Sequence, residues 1–147
     1  MRNDLWLKNR LEYLWGNHFP DVERKNNIHI GFKGNWKNKF GHIKKKGIDS
    51  EIIVNGYFKK DVVPDYIIDL TIAHELVHYM HGFNSPYPRL FKHPHKGGIV
   101  NKELKKRGFK VHIKDERRWI KEVWRTIMKE DFKEKRIRPS LSNWFRF

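Results

Sequence analysis

Asp69-Leu70-Thr71-Ile72-Ala73-His74-Glu75-Leu76-Val77-His78-Tyr79-Met80-His81-Gly82 is the stretch on which the reading of this chain turns. With Ile68 just before it, the apolar positions Ile68, Ile72 and Leu76 return every four residues, which predicts a helix with a core-facing side. Pro64 suits the first turn of that helix, Asp65 sits well near its positive end, and Gly82 is placed to stop it in a left-handed conformation. On such a helix His74 and His78 lie one turn apart on a single face, so two imidazole nitrogens can reach one ion. Glu75 is rotated by about 100° from His74, which sets its carboxylate beside the ion rather than among the first two ligands. From there it can take a proton from a zinc-bound water and later deliver it to a leaving amine.

His-Glu-x-x-His is the signature of zinc-dependent peptidases. Random placement of the nine His and nine Glu of this chain would produce it roughly 0.03 times per sequence. A catalytic zinc takes three protein ligands and keeps a position open, so a third ligand is expected downstream. His81 shares the helix face, but Gly82 directly after it favours a role at the cap or rim. The longer pattern His-Glu-x-x-His-x-x-Gly-x-x-His is not met, because positions 81 and 84 are His and Asn. Lys92-His93-Pro94-His95-Lys96-Gly97-Gly98 offers His95 and His93 on a loop able to fold back, and Glu103 is a further candidate at the start of a helix. The expected set is His74, His78 and His95 for one Zn2+ ion, with Glu75 as general base and His93 or Glu103 as alternatives to His95. Tyr79, Tyr87 and His81 are the candidates for stabilising an oxyanion.

Outward from the motif, Leu7, Leu11, Leu14 and Trp15 recur at helical spacing, and Gly16-Asn17 would end that helix. Asn27-Ile28-His29-Ile30-Gly31-Phe32 alternates as a half-buried strand does, and Glu51-Ile52-Ile53-Val54-Asn55-Gly56-Tyr57-Phe58 is rich in β-branched and aromatic residues. Lys33 to Gly41 reads as a loop or hairpin, with a short strand at His42-Ile43 before the Lys44-Lys45-Lys46 run. The strand ending at Val54-Asn55 is the expected rim along which an extended substrate adds as a further strand. Residues 83–98, with three prolines and two glycines, form a long irregular connection, which in a small domain points to function or disorder. Ile99 to Arg107 reads as a short helix stopped by Gly108, Phe109 to Ile113 as a strand or extended segment, and 115–135 as a long basic amphipathic helix. The expected fold is α+β: a small zincin-like domain with an N-terminal helix, a short mixed or antiparallel sheet of three to four strands, the motif helix and a C-terminal basic helix. Residues 1–113 make the catalytic domain, and 114–147 the basic helix and aromatic tail packed on it.

The chain has 147 residues with no cysteine, which excludes disulfide scaffolds, thiolate zinc fingers and cysteine nucleophiles. No apolar run approaches the ~20 residues needed to cross a bilayer, and the first twenty residues do not read as a secretory signal. A cytoplasmic monomer without membrane contact is the expectation. The formal net charge is +15, of which +6 falls in residues 1–100 and +9 in the last 47. A cationic field of that size attracts nucleic acid or acidic proteins, and the Lys44–Lys46 run, the Lys102/Lys105/Lys106/Arg107 cluster and several Trp residues are the features that would bind DNA.

The sequence over about residues 5–110 resembles the SprT-like (Spartan-related) zinc metallopeptidases. The resemblance is carried by the N-terminal helix, Ile28-His29-Ile30-Gly31-Phe32, Gly41-His42-Ile43, Ile52-Ile53-Val54-Asn55, the helix bearing His74-Glu75-Leu76-Val77-His78, and a later His-x-Gly-like element before a helix. It implies proteolysis of proteins held on DNA and a third zinc ligand at His95. Members of that family often continue into a cysteine-based zinc ribbon, which this chain lacks. Two other readings accompany the peptidase: a basic nucleic-acid-binding protein with a structural metal site, and a latent zincin inhibited by its C-terminal segment.

Overall fold

In the computed structural model the described residues are 1–137, with side chains described to residue 131. The fold is α+β. The chain divides into two units, Met1–Ile113 and Lys114–Phe147.

In the first unit, helix α1 (Asp4–His18) begins where Asn3 accepts a hydrogen bond from Trp6 N at 2.9 Å, satisfying one of the amides that a helix start leaves open. Gly16 lies inside this helix, which runs one to two residues past the expected Gly16-Asn17 stop and is capped at Phe19, whose N donates to Trp15 O. Three strands follow: β1 (Ile28–Lys33), β2 (Gly41–Lys46) and β3 (Asp49–Asn55). Their order is β1-β3-β2, with β1 parallel and β2 antiparallel to β3. The sheet is therefore mixed and three-stranded. β3 is its centre, with every residue from Ser50 to Asn55 buried. The expectation that Val54-Asn55 forms an open rim is corrected: both sides of β3 are paired, and β2 is the strand with an open edge towards the motif helix. The open side of β1 is partly closed by Asp4, whose Oδ1 accepts from Phe32 N at 3.0 Å.

Helix α2 (Asp65–Met80) carries the motif, with Pro64 as its cap residue and Gly82 at φ 85° just beyond its end. The sequence predicts one core-facing side, but Ile67, Leu70, Ala73 and Val77 are buried as well as Ile68, Ile72 and Leu76. A helix apolar all round is a central helix. Its Asp69, 5% exposed, is held by Arg10 of α1 through two hydrogen bonds of 2.5 Å. Helix α3 (Ile99–Lys106) ends before Gly108, whose φ is 96°. Phe109 to Ile113 is not extended: Lys110 opens helix α4 (Lys110–Trp119), and Phe109 and Ile113 are buried at helical spacing.

In the second unit the helical path continues through a π-helical segment, Ile120–Trp124, into α5 (Arg125–Ile137). Trp119, Trp124 and Met128 are buried, and the two indoles stack at 5.6 Å. The aromatic tail, residues 138–147, lies outside the described residues. No helix among the described residues is long and apolar enough to cross a membrane.

Candidate metal centre

Helix α2 sets the His74 and His78 rings 4.7 Å apart on one face, as four-residue spacing requires. His95 arrives from the connection between α2 and α3. Its Nε2 stands 3.2 Å from Nε2 of His74 and 3.0 Å from Nε2 of His78. Three nitrogens bound at ~2.05 Å in a tetrahedral shell lie about 3.3 Å apart, so the donor set and its spacing fit one metal ion. Among the described residues this is the cluster of His, Asp and Glu side chains that could hold one.

The connection reaches back because it is pinned along its length. Leu90 N donates to His81 O at 3.0 Å, and Ser85 Oγ donates to Tyr79 O at 2.7 Å. Asn84 donates from Nδ2 to Ile43 O of β2 at 2.9 Å and accepts from Ser50 Oγ of β3 at 2.7 Å. Gly82 is required where the loop folds over the helix end, since a Cβ there would meet Pro88 O at 2.3 Å. The long irregular segment is thus an ordered arm that presents His95.

The site is electrostatically prepared for a cation. Burial, with the neighbouring His95, lowers the pKa of His74 to about 4, and burial with His74, His95 and His81 lowers that of His78 to about 3. Both imidazoles are then neutral at pH 7 and offer lone pairs. Burial raises Glu75 to about 8 while the Lys39 ammonium pulls in the opposite direction. Glu75 is 4% exposed and lines a cleft of about 370 Å³ together with the three histidines.

Of the remaining expected residues, His93 is exposed and outside the cluster. Glu103 is held at 3.2 Å by Arg107, the residue that caps the C-terminal end of α3. Tyr79 and Tyr87 do not line the cleft: the Tyr79 hydroxyl donates to Asn26 Oδ1 at 2.7 Å, and the Tyr87 hydroxyl donates to Glu23 O at 2.6 Å. His81 is buried with its ring against Phe91. The wall opposite α2 comes instead from Lys39, Gly41, His42 and Ile43. Spacing gave no signal for these four, because Gly41, His42 and Ile43 enter the site only through the pairing of β2 with β3, and Lys39 through the loop that leads into β2. Gly41 allows that approach: a Cβ would lie 2.7 Å from Ile53 O, 2.8 Å from Thr71 Cγ2 and 3.8 Å from Glu75 Oε2.

Comparison with models of protein families, with curated proteins and with solved structures gave no match. The functional reading therefore rests on the geometry of the site itself.

Proposed function

We propose that this chain is a zinc-dependent endopeptidase of the SprT-like kind. The observation that carries the reading is the convergence of the His74, His78 and His95 Nε2 atoms beside the buried Glu75 carboxyl, in a cleft walled by a sheet edge. A zinc ion on these three imidazoles would supply Lewis acidity, polarising the scissile carbonyl and acidifying a water. A cation on the three imidazoles would favour the ionised form of Glu75 against the burial that raises its pKa to about 8. Glu75 then does the proton work: its carboxylate accepts the proton of the attacking water and passes it to the leaving amine nitrogen. Its burial keeps bulk water from competing for that proton. β2 positions the peptide. Register alternation turns the main-chain groups of Gly41, Ile43 and Lys45 away from β3, so an extended substrate can add along that edge, with Asn84 occupying only the Ile43 carbonyl.

The decisive experiment is Glu75→Gln: the variant keeps zinc at one ion per chain and loses chelator-sensitive cleavage of a protein substrate. Unchanged turnover would refute the role of Glu75.

A second reading, a nucleic-acid-binding surface on the same protein, has its own observation. Lys33, Lys44 and Lys46 gather within 3.3–3.6 Å of the single buried Glu51, leaving local excess positive charge on an exposed sheet face. Duplex affinity falling steeply with salt supports it; affinity flat between 50 and 200 mM salt removes it.

A further inference from the structure

We propose that Lys39 makes this cleft selective for peptides carrying an acidic side chain close to the scissile bond. The inference rests on the peptidase reading and extends it to a substrate class. Among the described residues lining the cleft, Lys39 is the one lysine or arginine.

Its position is built rather than incidental. Asn55, fully buried at the end of β3, holds the loop from both sides, donating from Nδ2 to Trp36 O at 2.8 Å and to Lys39 O at 2.9 Å. The Asn55 amide donates to Phe40 O at 2.8 Å, and Gly56 N donates to Gly34 O at 2.9 Å. Gly34, at φ 74°, lets the Trp36 indole lie against the loop backbone, because a Cβ there would stand 2.5 Å from Trp36 Cζ2. The Lys39 ammonium rests over that indole, 4.7 Å from the ring centroid, and the indole in turn packs edge-on against His42 at 5.5 Å. The charge is therefore steered to the mouth of the cleft, beside the β2 edge that would carry the peptide.

The surroundings leave that charge available to a ligand. Of the other ionisable wall residues that feel Lys39, His42 is driven towards its neutral form by burial and by the Lys39 and Lys44 charges, and Glu75 is buried, with burial favouring its neutral form. Lys39 is exposed, so a substrate carboxylate can reach it while keeping part of its hydration. The +15 chain adds a long-range field of the same sign, which favours encounter with acidic segments.

The test uses the full chain loaded with zinc and internally quenched peptides that differ at one position by Glu, Gln or Lys, scanned over three positions on each side of the scissile bond. Glu should exceed Gln in kcat/KM by about tenfold at one such position, some 1.4 kcal/mol, and the ratio should shrink as salt is raised. Lys39→Arg keeps the preference, Lys39→Met brings the Glu/Gln ratio to about one, and Lys39→Glu turns it in favour of Lys. Lys8→Met, on the exposed face of α1, keeps the wild-type ratio. Melting temperatures and zinc content of each variant separate loss of preference from loss of fold. Cleavage with no charge preference, or a preference that survives Lys39→Met, overturns this inference and leaves the peptidase standing. Absence of cleavage of every peptide and protein offered overturns the peptidase reading, and this inference with it.

Discussion

Replacing His95 by Ala separates the site's metal chemistry from its contribution to the fold. His95 is exposed, and the arm that carries it is pinned by Asn84, Ser85 and Leu90 rather than by the imidazole. The metal-free variant should therefore stay within about 0.5 kcal/mol of wild type, as exposed substitutions do. Zinc changes the comparison. Free zinc at 100 times the dissociation constant stabilises the wild-type chain by about 2.7 kcal/mol, which at about 4 °C per kcal/mol for a chain of this length raises the melting temperature by roughly 11 °C. Loss of an orienting partner alone costs up to ~100-fold in affinity, and loss of a ligand should cost at least that. The same zinc concentration then only equals the variant's dissociation constant and stabilises it by about 0.4 kcal/mol, a shift near 2 °C. Thermal unfolding with and without zinc, and with chelator added back, measures both shifts, and competition with a chromophoric chelator measures affinity directly. An undiminished zinc shift in His95→Ala would refute the three-histidine centre. A loss seen in His93→Ala instead would move the third ligand two residues along the arm.

Arg107→Ala should destabilise by about 3 kcal/mol in urea unfolding, because the guanidinium donates to Asp21 at 2.7 and 2.8 Å, to His18 O at 2.8 Å and to Glu103 at 3.2 Å, and lies over Phe19; most of that comes from the stranded carbonyl and lost packing, since the pair with exposed Asp21 counts for under about 1 kcal/mol. A loss below 1 kcal/mol would show that α3 is held to the end of α1 by other contacts. Gly41→Ala should cost about 1–3 kcal/mol by overpacking and lower kcat more than zinc affinity, as β2 is pushed from Glu75; equal activity would mean that the strand is not the cleft wall. For Glu51, burial would raise the carboxyl pKa, but Lys44, Lys33 and Lys46 outweigh it and the net direction is down. Its contribution to stability is therefore present above the ordinary carboxylate pKa and lost as pH falls through the lower folded value. Unfolding measured from pH 6 to pH 3 should show a shallower loss in Glu51→Gln than in wild type.

Sequence alone determined the parts of this protein that depend on local periodicity. His74, Glu75 and His78 share a helix face because 3.6 residues make a turn, and the chain between Pro64 and Gly82 has the composition to form that helix. The first strand, the irregular arm and the α+β class were legible for the same reason: alternation, glycine and proline act over a few residues. The extended reading of 109–113 failed because Phe109 and Ile113, four apart, fit a buried helix face as well as a short strand, and packing chose the helix. Spacing also left three candidates for the third ligand, His95, His93 and Glu103. Tertiary structure brought His95 to 3.0 and 3.2 Å from its partners through contacts between Asn84 and β2 that are forty-one residues apart in the chain. It likewise decided which strand is open. The best strand by composition, β3, is paired on both sides, with its residues from Ser50 to Asn55 buried, while the lysine-rich β2, poorly suited to burial, takes an edge and with it the wall of the cleft. Strand order is set by how much apolar surface each strand can bury against its neighbours, a sum over partners that no local pattern contains.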